Sequence, residues 1–158
     1  MMRIGHGYDV HQLQAGLPLT LGGIIIPHSA GLVGHSDADV VLHAICDAVL
    51  GALGLGDIGR HFPDSDPDNE NRDSREFLRF AIDRMRAAQF QLGNLDVTIV
   101  AQAPKLAPFI GPMCGVIADD FGSAHNRVNI KATTTENLGF VGRKEGIAAH
   151  AVVLLEKN

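Results

Sequence analysis

The sequence predicts an α+β fold, a two-layer domain in which one mixed β-sheet is covered by helices. Segments of strand character alternate with segments of helical period, and the last two, 127–134 and 147–156, are both strand-like. Apolar residues make up 46% of the 158, enough for one core, and no repeat, low-complexity tract or linker divides the chain. A single domain over 1–158 is therefore expected.

Taken in order, residues 2–10 form a short extended segment ending in Tyr8-Asp9-Val10. Residues 17–27 (LPLTLGGIIIP) read as two short strands around Gly22-Gly23, a hairpin signal. Ser36 suits an N-cap, with Asp37 and Asp39 in the first turn of a helix that runs to about Leu53 and stops in GALGLGDIG. Residues 60–73 (RHFPDSDPDNENRD), polar and holding Pro63 and Pro67, read as a long exposed loop. Asp73 or Ser74 caps a second helix to about Phe90, with Phe77, Leu78, Ala81, Ile82 and Met85 inward. A strand follows at 94–101. A third helix at 105–121 is interrupted by Pro108 and Pro112.

Composition excludes several functions. The net charge is −5 and no Lys/Arg cluster appears, so a nucleic-acid surface is not expected. An acidic protein that handles phosphates must neutralise them with a few placed cations or metals. Cys46 and Cys114 cannot make a disulfide framework and read as reduced thiols in apolar helices. Cys46 as a further metal ligand, three residues after His43, is the alternative. No apolar run has the length of a signal peptide or membrane span, so no membrane partner and a cytoplasmic location are expected.

Four groups of residues are candidates for chemistry. Asp9 and His11 flank Val10 in an extended segment, so carboxylate and imidazole share one face and suit Zn²⁺. Read alone, they fit equally a strand-end Asp and His bonded to backbone. His43 lies on an otherwise apolar helix in the phase of Asp39 and Asp47. A lone helical His is more often a core residue. With Asp9 and His11 it completes an Asp-His-His set for an open zinc site, with Asp39 and Asp47 available to orient the imidazoles. Thr133-Thr134-Thr135-Glu136, at a strand end, offers hydroxyls and amides for phosphate oxygens and a carboxylate for Mg²⁺. A Thr-rich strand followed by a helix cap explains the same residues. The loop Ala101-Gln102-Ala103-Pro104-Lys105 is a fourth candidate, or a plain strand-to-helix turn.

RIGHGYDVH, GHSDADVVLHAICDA, LGDIGRHFPDSDP, AQAPKLAPF and KATTTENLGFVGRKEGI, in this order, resemble the 2-C-methyl-D-erythritol 2,4-cyclodiphosphate synthases over about Arg3 to Leu155. The resemblance implies a homotrimer with active sites between subunits. The substrate would be 4-diphosphocytidyl-2-C-methyl-D-erythritol 2-phosphate, cyclised with release of CMP. Asp9, His11 and His43 match Zn²⁺ ligands, one ion per subunit. Glu136 matches a ligand of a second ion, Mg²⁺ or Mn²⁺, bound with the diphosphate. His35 and Thr134 match residues that stabilise the transition state. Ser36, Asp57, Ile58 and Gly59 match the methylerythritol phosphate pocket, and Asp9, Val10, His11, His35 and Glu136 match further substrate-binding positions. Phe62, Pro63, Asp64, Ser65 and Asp66 match its flexible cover. Ala101, Gln102, Ala103, Pro104, Lys105, Leu106 and Ala107, with Thr133, Thr134 and Thr135, match the cytidine diphosphate side, supplied by a neighbouring subunit. Phe140 and Arg143 match further contacts. His150 stands where relatives often carry a Glu, beside a channel on the threefold axis that takes an isoprenoid diphosphate in some members. His6, His28, His61 and His125 read as structural or exposed. A zinc-dependent phosphohydrolase and a non-catalytic isoprenoid-phosphate-binding trimer are the alternative functions.

Overall fold

A computed structural model describes residues 1–158. In chain order the elements are β1 (Met2–Ala15), β2 (Leu19–Leu21), β3 (Ile24–Ile26), β4 (Ala30–Leu32), α1 (Val40–Ala52) and α2 (Ile58–His61). They continue with α3 (Ser74–Ala87), β5 (Phe90–Val100), α4 (Ala107–Phe121), β6 (Val128–Thr133), α5 (Gly139–Gly142) and β7 (Gly146–Lys157). Five strands form one sheet in the order β4-β1-β7-β5-β6. β5 and β6 are parallel and the other pairs antiparallel, so the sheet is mixed, as expected. β2 and β3 form the expected hairpin around Gly22-Gly23, but it stands apart from the main sheet as a two-stranded sheet of its own. α4 makes the crossover that a parallel β5–β6 pair requires.

β1 runs five residues beyond the expected segment. Its pairing with β7 is continuous from Met2↔Glu156 to Gln12↔Gly146, and β4 takes over from Leu13↔Leu32 to Ala15↔Ala30, so the backbone ladders carry it through polar HQLQ. The helices cover one face of the sheet. Gly5 and Gly7 lie under α1, where an added Cβ would stand 1.8 Å from the Ala48 and Ala44 carbonyl oxygens respectively. Only glycine lets a helix backbone lie so near a strand. Leu42, Ile45 and Val49 of α1 and Ile99, Ala149, Ala151 and Val153 of the sheet belong to one buried core. Positions alternate on the opposite face, where Ile4, His6, Tyr8, Val10, His150 and Val152 are exposed.

Several expected boundaries move. α1 starts at Val40 and its cap is Asp39, not Ser36. Ala38 has φ +57°, which breaks helical geometry, and the Asp39 carboxylate accepts the Leu42 amide at 3.0 Å. The same carboxylate accepts the Gly22 and Gly23 amides at 2.9 and 2.8 Å, tying the β2–β3 turn to the helix start. The 60–73 segment is not a bare loop: α2 occupies its start, residues 67–69 form a 3₁₀ turn, and Asn69 is buried. α3 ends at Ala87, because Gln89 takes φ +62° and Phe90 opens β5. Arg75 of α3 grips Asp120 of α4 with two hydrogen bonds, 2.9 and 3.0 Å. α4 continues past Pro112 and closes on Gly122 at φ +65°. No helix is long and apolar enough to cross a membrane.

Candidate metal centre and two clefts

β1 sets Asp9 and His11 on its covered side, and Val10 between them points to the open face, 41% exposed. The close approach at Gly7 fixes Ala44 of α1 over the strand, and His43 precedes Ala44. The three ligand atoms therefore converge. Asp9 Oδ2 lies 2.9 Å from His11 Nε2 and 3.2 Å from His43 Nδ1, and the two nitrogens are 3.3 Å apart. Four ligands about 2.0–2.1 Å from one tetrahedral Zn²⁺ stand roughly 3.3–3.4 Å from each other. The triangle fits that geometry after a slight opening and leaves the fourth position free. The Val33 carbonyl, 2.9 Å from His11 Nδ1, can only accept, so Nδ1 carries the proton and Nε2 offers a lone pair.

Electrostatics agree with a cation site. Burial acts to raise the Asp9 carboxyl, but the hydrogen bonds and positive charge of His11 and His43 prevail and hold it at about 2. Burial acts to lower His11, and the bonds and charge of Asp9 with the Val33 carbonyl raise it above its ordinary value.

The expected supports of the imidazoles are corrected. Asp39 is fully buried as cap and turn tie, and burial pushes its carboxyl to about 6 against the bonds from Gly23, Leu42 and Gly22. Asp47 accepts the Ile58 amide at 2.8 Å. Neither bonds an imidazole of the site. His43 Nε2 instead meets Ser74 Oγ at 2.8 Å and Ser36 Oγ at 3.2 Å. Cys46 is not among the converging ligands; it is fully buried, which pushes its thiol well up.

A cleft of about 520 Å³ opens over the triad. Gly34, His35 and Ser36 line it from one side, Ile58, Gly59, Phe62, Pro63 and Asp64 from another, and Asn69 and Phe77 close it. Asp57 turns away to cap α2, Asp66 caps the 3₁₀ turn, and Ser65 also lies outside the lining. Asn69 and Phe77 were not singled out as site residues in the sequence. Asn69 earns its place by holding the Pro63 carbonyl at 2.9 Å while accepting from Arg72, contacts that no local motif announces.

A second cleft, about 260 Å³, is lined by Ala101, Gln102, Pro104, Lys105, Leu106, Ala107, Thr133 and Thr134, with Ile110 and Ala132. Lys105 has no acidic partner within ion-pair distance. Ala103 and Thr135 fall outside the lining, and Thr135 Oγ1 donates to the Leu138 carbonyl at 2.6 Å. Glu136 is exposed at φ +53° and its amide donates to Thr134 Oγ1 at 3.2 Å. Phe140 is 40% exposed and Arg143 pairs with Glu145 at 3.1 Å. His35 and Thr134 line different clefts, so one chain alone does not join them. On the open sheet face, His150 Nδ1 lies 3.2 Å from His6 Nε2, and the Tyr8 ring is tilted against His150 with centroids 4.8 Å apart. His61 bonds the Leu55 carbonyl, His125 meets Asp119, and His28 is exposed.

The fold and site define a class: small α+β proteins with an open site of two imidazoles and one carboxylate, suited to a divalent ion. The YgbB family profile matches residues 2–156. The chain is 62% identical over 157 residues to the 2-C-methyl-D-erythritol 2,4-cyclodiphosphate synthase of Syntrophotalea carbinolica, covering 99% of this chain and 96% of that one. With the synthase of the same name from Geobacter sulfurreducens it shares 63% identity, covering 99% and 100%. Among solved structures, the bifunctional IspDF of Campylobacter jejuni superposes at TM-score 0.96 with 45% identity. This chain is fully covered there and spans 43% of that longer protein. The Plasmodium falciparum IspF, solved as a CDP complex, superposes at 0.88 with 35% identity, covering 99% and 97%. The chain belongs to the YgbB family.

Proposed function

We propose that the chain is a phosphorus–oxygen lyase that cyclises 4-diphosphocytidyl-2-C-methyl-D-erythritol 2-phosphate to 2-C-methyl-D-erythritol 2,4-cyclodiphosphate and releases CMP, in isoprenoid precursor synthesis. The carrying observation is the convergence of Asp9 Oδ2, His11 Nε2 and His43 Nδ1 at 2.9–3.3 Å on the floor of a cleft. The names of the relatives and the CDP complex support the substrate class.

An oxygen of the 2-phosphate attacks the β-phosphorus, the bond from that phosphorus to the bridging oxygen breaks, and CMP leaves with the electron pair. The substrate brings its own nucleophile, so the protein's task is to fold it and stabilise charge. Asp9, His11 and His43 would hold Zn²⁺, which when bound supplies Lewis acidity at a β-phosphate oxygen. Glu136 offers a carboxylate for Mg²⁺ or Mn²⁺ beside the diphosphate. His35 and Ser36 stand in the metal cleft where the erythritol phosphate would lie, under Phe62, Pro63 and Asp64. Lys105, Thr133 and Thr134 line the other cleft, fitted to the cytidine diphosphate.

The separation of the two clefts supports a homotrimer in which each site joins the metal cleft of one chain to the cytidine cleft of the next. Ile4, Tyr8, Val10 and Val152 on the open sheet face supply apolar surface for that assembly. Phosphorus NMR of the products tests the reaction. Cyclic diphosphate plus CMP is expected. Inorganic phosphate would indicate a hydrolase, and unchanged bound substrate a binding protein.

A further inference from the structure

His11 and His43 present different ring nitrogens to the metal point, Nε2 and Nδ1. For His11 the Val33 carbonyl decides the tautomer. His43 faces hydroxyls, which donate or accept, so something beyond them must set the direction. Ser74 Oγ, fully buried and 2.8 Å from His43 Nε2, is also bonded to Asp37 Oδ1. That carboxylate is itself fixed: it accepts the Ser74 amide at 3.1 Å and the Asp39 amide at 3.1 Å, and the Asp37 amide donates to the Arg72 carbonyl at 3.1 Å.

We propose that Asp37 and Ser74 are positioning residues that hold His43 in its Nε2–H tautomer and so keep Nδ1 as a metal ligand. The proposal rests on the metal reading above and names residues outside the ligand set. Ser74 has one hydroxyl proton. Asp37, an acceptor, takes it, which leaves only a lone pair of Ser74 Oγ facing His43. Nε2 then supplies the proton to Ser74 Oγ in competition with the Asp9 carboxylate, 3.2 Å from Nδ1, and Nδ1 is left bare for the ion. Ser36 Oγ, 3.2 Å from the same nitrogen, accepts the Ala38 amide at 3.2 Å and adds a weaker second acceptor. The arrangement also links the metal centre to the start of α3, 31 residues away in sequence.

Two variants separate positioning from packing. Ser74→Ala removes the hydroxyl but keeps the amide that bonds Asp37. It should weaken zinc about 10–100-fold by chelator competition, while the melting temperature of the metal-free protein changes less than the zinc-induced rise. An asparagine could keep its carbonyl oxygen on Ser74, whereas Asp37→Ala removes the acceptor altogether. Ser74 then turns its proton toward His43, Nδ1–H becomes the favoured tautomer, and zinc affinity falls at least as far. Nitrogen-15 NMR of the neutral imidazole in the metal-free protein reads the tautomer directly in wild type and in Asp37→Ala, whether or not Ser74→Ala folds. The proposal expects Nε2–H in wild type and Nδ1–H in Asp37→Ala. Nδ1–H in wild type, or Ser74→Ala binding zinc within about twofold of wild type, overturns it. A wild type that takes no zinc overturns it together with the metal reading, which distinguishes the two failures.

Discussion

At the scale of residues, three side chains from two elements meet at one point, and each makes a separable contribution. His43→Ala should lose zinc with the fold kept, measured by elemental analysis beside circular dichroism; a full zinc complement would remove His43 from the ligand set. pH offers a second test. His11 is raised above its usual 6.5 by Asp9 and the Val33 carbonyl, which outweigh its burial. In metal-free protein its stabilisation is complete below 6.5 and is lost as pH rises through the folded value. Zinc needs the neutral ring, so its stabilisation grows over the same window. Melting temperatures should fall with pH for the metal-free form and rise for the zinc form; parallel curves would contradict the pairing. Glu136→Gln should leave zinc unchanged, weaken magnesium dependence and lower turnover more than tenfold, about 1.4 kcal/mol or more. Lower stability with a wild-type magnesium response would make Glu136 only a cap. The ligand triad was legible because Asp9 and His11 follow the strand period and His43 stands on an apolar helix. The hold on His43 was not. Helix phase suggested Asp39 and Asp47, whereas Ser74 reaches Nε2 across a tertiary contact that no spacing encodes.

At the scale of elements, the centre depends on how closely α1 lies on β1. Gly7→Ala places a methyl 1.8 Å from the Ala44 carbonyl oxygen, so helix and strand must part. Destabilisation of at least about 3 kcal/mol is expected, with weaker zinc binding because His43 moves with Ala44. Gly51, exposed on α1 with nothing within 4 Å of an added Cβ, is the control. Gly51→Ala should stabilise by up to about 1 kcal/mol through helix propensity and leave zinc alone. Denaturant melts of both variants check the pair; equal effects would deny a special contact at Gly7. Local period revealed these elements but misplaced their ends. β1 continues to Ala15 because β7 and then β4 lie beside it, and α1 starts late because Asp39, tied to Gly22 and Gly23, displaces Ser36 as cap. Both are tertiary effects on local propensity.

At the scale of the molecule, the mixed sheet followed from alternating strands and helices, while the detached β2–β3 hairpin did not, because two three-residue strands carry no signal of which sheet they join. Assembly was legible only through resemblance to relatives. In the structure its support is the division of the proposed machinery between two clefts, the triad and His35 in one, Lys105 and Thr134 in the other. Light scattering should report a trimer. The most direct test is co-assembly of Asp9→Ala with Lys105→Ala, followed by phosphorus NMR of the cytidine substrate. Each variant alone should be inactive. Random mixing of the two in a cyclic trimer should restore up to about one quarter of wild-type turnover, since a complete site needs the intact cleft from each kind of chain. Cyclic diphosphate and CMP from the mixture, and from neither parent, is the expected result. A mixture as inactive as its parents, though shown to be co-assembled, would contradict a site shared between chains.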